Sequence, residues 1–367
     1  MRISLPQPQL LRHLQMVEHA VNDRSTLPIL SNVLVQVEGN EVVLTATDLD
    51  VGIQCRFPLG QAAAPGAVAL PARKLTTIIR ELPEEVVQLE AKKNHTATVN
   101  CGRSNFRIPG LPPEDFPVLP VAESGAWCAI SQGTLKALLD RTMYAMSLEE
   151  TRFILNGTLC IAEKDTLKLV ATDGRRLAIA SGALVKAAPE PFQVVVPAKA
   201  VKELSRLLDR AEPGEVELAP LKDNQFMFKF GGATLMTRLI DGQFPQYDKV
   251  VPPATKQAFS CRRELLANAV RRASLMTTAT SQAVVFELSE NLLVVSKESP
   301  EVGSAREEIQ VSYGGEAMTV AFNPEFWLDV LKVLDGDEVK IEVGGADRPA
   351  VIREPEFTYI VLPMRIS

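Results

Sequence analysis

Three stretches of the chain follow one plan: "LPARKLTTIIRELPEEVVQLEA" at 70–91, "VPAKAVKELSRLLDRAEPGEVELAP" at 196–220 and "FNPEFWLDVLKVLDGDEVKIEV" at 322–343. Aligned on Pro71, Pro197 and Pro324, they stand 126 and 127 residues apart. Apolar residues at helical spacing follow each proline, and proline suits the first helical turn, where its missing N–H would have no partner. A turn comes next ("PEE", "EPGE", "DGDE"). Alternating residues such as Val216 and Leu218, or Val339, Ile341 and Val343, then predict a half-buried strand.

A second feature recurs at a similar offset. The segments 8–21, 133–146 and 262–276 have the periodicity of amphipathic helices. Each precedes a predicted strand meander, over 31–57, 153–181 and 283–313, with turns at "EGN", "EKD" and "SEN". "LTATDLDVGI" (44–53) and "LVATDGRRLAI" (169–179) occupy matching places, while repeat three has "VVSKESPEVG" (294–303) there. The period is domain-sized, so the reading is three similar α+β domains in tandem rather than a solenoid of short repeats. The Pro-rich segments 110–125 and 241–257 mark the boundaries, which gives domains at 1–122, 123–252 and 253–367.

No apolar run approaches the ~18–20 residues that span a bilayer, and "MRISLPQPQLLRHLQ" lacks the apolar core of a signal peptide. Five scattered cysteines without a C-x-x-C pair fit reduced thiols, so a cytoplasmic location is expected. The net charge of −6 argues against nucleic-acid binding by bulk charge. Its distribution argues otherwise. The six predicted helices (8–24, 72–82, 131–146, 198–210, 261–276 and 324–334) hold sixteen Lys and Arg against nine Asp and Glu. Three copies of one unit, paired edge to edge, would gather those helices on one side as a basic surface suited to duplex phosphates.

The motifs "TLPILSNVL" (26–34), "VATDGRRLA" (170–178), "IDGQFPQYDKVVP" (240–252), "FNPEFWLDVL" (322–331) and "YIVLPMRIS" (359–367) resemble the bacterial β sliding clamps over essentially the whole chain. The resemblance implies three clamp domains with helices lining an inner face and antiparallel sheets outside, two subunits closing head to tail into a dimeric ring. The implied partners are double-stranded DNA, held without sequence specificity, and replicative polymerase, clamp loader and repair proteins carrying a short glutamine-led apolar motif. An ATP-using loader would open the ring, because this chain has no nucleotide motif.

Carried over residue by residue, the resemblance implies three sites. A partner-peptide pocket would use Arg152, Leu155, Thr172, Gly174, Arg175, Arg176, Leu177, Pro245, Val250, Asn323, Val361, Leu362, Pro363, Met364 and Arg365. Arg175 stands where many relatives have histidine, and Phe326 where they often have tyrosine. DNA-facing residues would be Arg24, Arg73, Lys199, Arg206 and Arg210, with Arg271 and Arg272 weaker candidates; the loop "TTATSQA" (277–283) lacks the basic residues usual in relatives. The dimer interface would join Arg103, Phe106, Arg107 and Ile108 on a strand at 103–111 to Leu275, Met276, Glu298, Glu301, Glu307 and Glu308 of a second subunit.

Enzymatic chemistry finds little support. His13 and His19 are spaced i, i+6 rather than i, i+4, and no Walker loop, G-x-S-x-G or Cys/His cluster occurs, so no metal or cofactor is expected. Asp48 and Asp173 fall in equivalent turns of separate repeats. Paired-carboxylate catalysis would need them side by side, and turn residues accepting backbone N–H bonds explain them better.

Overall fold

The computed structural model describes residues 1–22, 25–59, 64–120 and 127–365. The repeat is visible directly in the order of elements. The first copy is β1 (Arg2–Pro6), α1 (Gln7–Val17), β2 (Asn32–Glu38), β3 (Glu41–Thr47), β4 (Val51–Pro58), β5 (Gly66–Pro71), α2 (Ala72–Glu81), β6 (Val86–Ala91), β7 (Thr96–Cys101) and β8 (Ser104–Pro109). The second is β9 (Cys128–Ser131), α3 (Gln132–Thr142), β10 (Gly157–Glu163), β11 (Thr166–Thr172), β12 (Arg176–Ala183), β13 (Phe192–Pro197), α4 (Ala198–Leu207), β14 (Glu215–Leu221), β15 (Gln225–Phe230) and β16 (Ala233–Arg238). The third is β17 (Ala258–Arg262), α5 (Arg263–Ser274), β18 (Val284–Ser289), β19 (Leu292–Ser299), β20 (Gly303–Gln310), β21 (Met318–Phe322), α6 (Pro324–Val333), β22 (Glu338–Val343), β23 (Ala350–Glu354) and β24 (Phe357–Val361). Each copy is itself two β-α-β-β-β halves.

The prolines used for alignment are not all equivalent. Pro71 sits at the N-cap of α2, and α4 begins directly after Pro197, but Pro324 is already inside α6 and Asn323 takes the cap. The structural offset is therefore 126 in both steps. Asn323 does what proline cannot, accepting a 2.9 Å bond from the Glu325 N–H. The first helix is also shorter than its periodicity predicts, giving way at Glu18 to a 3-10 turn.

The chain folds into two compact units. One comprises Met1–Gly133, Leu184–Phe192 and Lys199–Leu239; the other comprises Thr134–Ala183, Gln193–Ala198 and everything from Ile240 on. In the first unit, a four-stranded sheet runs β1-β6-β7-β8 and an eight-stranded sheet runs β5-β2-β3-β4-β16-β15-β14-β9. In the second, the orders are β20-β19-β18-β21 and β13-β10-β11-β12-β24-β23-β22-β17. Both eight-stranded sheets are joints between successive repeats, made by β4 with β16 and by β12 with β24, both antiparallel. Helices cover the sheets with their apolar sides: α1 packs on β3 and β4 beside α2, and α5 packs on β19 and β20 beside α6. Of the aliphatic residues they bury, Leu10, Leu14, Leu75, Ile79, Leu266 and Val270 are at most 1% exposed. Among the described residues, no helix is long and apolar enough to cross a membrane.

Candidate functional site

The second unit holds an apolar cavity of about 210 Å³ on the β11–β12 end of its large sheet. Its floor is cut from the cluster that includes Leu155, Val170, Leu177, Tyr247 and Ile360. Of the fifteen residues expected in the pocket, nine line it: Leu155, Thr172, Gly174, Arg175, Arg176, Leu177, Pro245, Val250 and Leu362. Gln246, Tyr247 and Ile360 also line it and escaped the sequence reading. Strand alternation carries the missing signal, since Ile360 and Leu362 point one way and Val361, which is 0% exposed, points the other. Val361 is thus core rather than wall.

The remaining five expected residues do not line the cavity. Arg152 stands behind the turn, donating from Nη1 to the Asp173 carbonyl at 2.6 Å. Asn323 is occupied as the α6 cap. The terminal segment is held at both ends: the Leu362 N–H donates to the Arg175 carbonyl (2.9 Å) and the Met364 N–H to that of Ala321 (2.7 Å). Pro363 is half-buried, while Met364 and Arg365 are exposed.

The turn 172–177 is strongly organised. Asp173 Oδ1 accepts from the N–H groups of Arg175 (2.8 Å) and Arg176 (3.0 Å), and Gly174 takes φ +84°, which a side chain would strain. Arg176 turns its guanidinium away into the fold, donating from Nε to Asp173 Oδ2 (3.0 Å), from Nη1 to Asp329 Oδ2 (2.6 Å) and from Nη2 to the Tyr144 carbonyl (2.5 Å). It also lies over the Phe326 ring, 4.4 Å from the centroid. Burial opposes the charge on Arg176, but the surrounding acceptors outweigh it and raise its pKa. Burial also pushes the Tyr144 and Tyr359 phenols well above the usual tyrosine range. A larger cleft of about 790 Å³ shares Pro245, Gln246 and Tyr247 as a wall, but its lining mixes Lys164, Lys168 and Lys249 with Glu163, Asp165 and Asp248.

Asp48 is the counterpart of Asp173, accepting from the N–H groups of Asp50 (3.0 Å) and Val51 (2.8 Å). Both aspartates are turn residues, each at its own joint.

The expected DNA-facing residues fare unevenly. Arg24 lies outside the described residues. Arg73 is exposed on α2 and Arg210 is exposed beyond α4. Lys199 pairs with Asp48. Arg206 is largely committed, bonding Glu203 (2.9 Å) and the Gln15 and Met16 carbonyls at the end of α1. Cations at a helix C-terminus satisfy its unpaired carbonyls, so this arginine serves the fold first. Arg271 bonds Asn268, and Arg272 makes a two-pronged pair with Glu307 at 2.8 and 2.6 Å.

At the strand edges, Ile108 is buried while Phe106 is 38% exposed on the same face of β8, and Arg103 and Arg107 are exposed. Leu275 is 68% exposed just beyond α5, Met276 is half-buried, and Glu298, Glu301 and Glu308 are exposed. Glu307 differs from expectation: Arg272 engages it, which lowers its pKa. Glu308 pairs with Arg306 at 3.1 Å. The uncharged loop 277–283 receives a cation from beneath, where the buried Lys297 donates to Ser281.

A chain of repeated clamp-like modules, joined edge to edge and bearing an apolar slot beside a rigid turn, is built to hold and tether rather than to catalyse. Family comparison agrees. Residues 1–120, 129–246 and 248–365 match the N-terminal, central and C-terminal domains of the DNA polymerase III beta subunit. The β sliding clamps of Pseudomonas aeruginosa and Escherichia coli K12 are 36% and 35% identical, each over the full length of both chains. A Pseudomonas aeruginosa clamp structure bound to griselimycin superposes with a TM-score of 0.94 at 35% identity, and the Bacillus subtilis clamp with 0.92 at 30%, again covering both chains fully. The chain belongs to the DNA polymerase III beta subunit family, the β sliding clamps, which are processivity factors and not enzymes.

Proposed function

We propose that two copies of this chain close head to tail around duplex DNA and tether the replicative polymerase, its loader and repair proteins through the cavity at Leu177. The observation that carries this reading is the repetition of one joint. Cys55 pairs with Ala233 and Val51 with Thr237; at the second joint, Ala180 pairs with Phe357 and Arg176 with Val361. Two-residue hairpins before β8, β16 and β24 make Ser104, Ala233 and Phe357 equivalent, while the pairing along β3–β4, β11–β12 and β19–β20 makes Cys55, Ala180 and Glu307 equivalent. Among the described strands, β8 and β20 are the edges of these two equivalent types that carry no neighbour. Joined by the same rule across two copies, Ser104 meets Glu307, Phe106 meets Ala305, Ile108 meets Gly303 and Arg103 meets Glu308. A two-fold assembly uses this joint twice and leaves no open edge of either type.

Domains at 1–122, 123–252 and 253–367 follow from the same repetition. Arg73 and Lys199, at matching places on α2 and α4, supply sequence-independent attraction for phosphates, and Arg210 adds to it. The partner motif enters between Leu177, Pro245, Val250 and Leu362, where a pre-formed apolar cleft takes a short linear segment. The five cysteines, all buried and none joined in a disulfide, suit the cytoplasm. The test is to load the protein with a clamp loader and ATP onto nicked circular plasmid and then to linearise it. A topologically linked ring slides off the cut ends; retention on linear DNA that depends only on salt overturns the reading.

A further inference from the structure

We infer that Asp329, on α6, is a positioning residue for the peptide pocket, acting through Arg176. This rests on the pocket reading above. Arg176 lines the cavity, yet its side chain is only 10% exposed because its guanidinium is drawn back into the fold. Three acceptors hold it there, and they are not interchangeable. Asp173 spends Oδ1 on two backbone N–H groups and Oδ2 on Nε. The Tyr144 carbonyl takes Nη2. Nη1 therefore depends on Asp329, at 2.6 Å. The same helix supplies the Phe326 ring beneath the guanidinium, and residues three apart on a helix share a face. Helix α6 thus grips Arg176 with an aromatic face and a carboxylate together.

Charge-assisted bonds of this kind are short and about twice as strong as neutral ones, and a buried cation left without its partner seeks another or reaches for water. The cavity that Arg176 lines offers that route. With Asp329 in place, the ligand meets the aliphatic part of Arg176 and the Leu177 side chain. Without it, the cation competes for the space that an apolar motif fills. Asp329 is itself 41% exposed, so its removal leaves no void in the core.

The experiment is fluorescence anisotropy of a labelled glutamine-led apolar hexapeptide with the full chain, across six proteins. Against the unaltered protein, Asp329→Asn weakens binding about tenfold, the loss expected for one charge-assisted bond. Asp329→Glu restores most of that loss, because it keeps the carboxylate. Arg176→Met sets a weaker baseline of its own, and adding Asp329→Asn to it changes affinity less than about twofold, the non-additivity expected of residues acting as a unit. The inference is overturned if Asp329→Asn binds like the unaltered protein, or if it costs the same factor with and without Arg176, which would mark a merely structural role. Leu177→Ala separates the two readings. If it leaves affinity unchanged, or if the unaltered protein does not bind the peptide, the pocket reading falls and takes this inference with it. If it abolishes binding while Asp329→Asn does nothing, only the role of Asp329 falls.

Discussion

Phe106→Ala tests ring closure most directly. Phe106 is 38% exposed on the edge strand β8, next to the buried Ile108. A phenylalanine buries roughly 200 Å² when fully enclosed, so closure would remove about 75 Å² more from water, a gain of about 1.9 kcal/mol at ~25 cal/mol per Å². A two-fold ring contains the joint twice. Truncation to alanine therefore costs the dimer about 3–4 kcal/mol, or two to three decades in the dissociation constant at ~1.4 kcal/mol per decade. Analytical ultracentrifugation over a dilution series measures that constant, and circular dichroism confirms that the monomer remains folded. Phe153→Ala is the control: that ring is 60% exposed but stands on neither free edge, so its loss leaves dimerisation untouched. A Phe106→Ala protein whose dimer constant moves less than about threefold, with the fold intact, would refute the proposed register, because more than a decade is expected even at half the calculated burial.

Lys199→Ala should reduce the slope of log affinity against log salt on linear duplex by about one. Arg206→Ala should instead show chiefly as reduced thermal stability, since its nitrogens bond carbonyls at the end of α1. His13 stacks on Phe57 at 3.8 Å, and burial, with a smaller effect from Arg12, holds its pKa below the ordinary histidine value of 6.5. Lowering the pH then protonates the unfolded state first, so stability falls as pH drops below 6.5 and levels out beneath the folded value. Melting temperatures from pH 7.5 to 5 should fall less steeply in His13→Gln. Gly174→Ala places a Cβ 2.6 Å from Arg152 Nη1 at a backbone angle of φ +84°. It should cost about 1–2 kcal/mol and weaken peptide binding, read by calorimetry with the same labelled hexapeptide.

The repeated plan was legible because helical and strand periodicities survive divergence: a face must stay apolar even when its residues change. The six helices and the strand meanders are where their spacing predicts them. What the chain does not announce is how a joint is shared. That β4 pairs with β16 depends on contacts between repeats, which no local pattern encodes. Charges misled for a related reason. Arg206, Arg272 and Glu307 look like surface residues free for DNA or a partner, but each had a nearer acceptor or donor within the fold. Val361 was misplaced by motif transfer where simple strand alternation would have corrected it.

The two joints also explain how one of them provides a slot. Their local cores are built from the same positions: Leu30, Leu34, Ala69 and Phe116 in the first repeat, and Leu155, Leu159, Val195 and Phe244 in the second. In the first, Leu119 reaches over Gly52, coming within 2.9 Å of where a Cβ would stand. Any side chain there would displace it, so the glycine is the condition for the leucine to close the surface. At the matching places the second repeat has Leu177 and Tyr247, and both become walls of the cavity. Exchanging a glycine for a leucine removes the seat on which the covering residue rested, while the shared cluster beneath keeps the walls rigid. The slot is therefore a divergence between copies of one joint, added to a fold whose repetition serves closure.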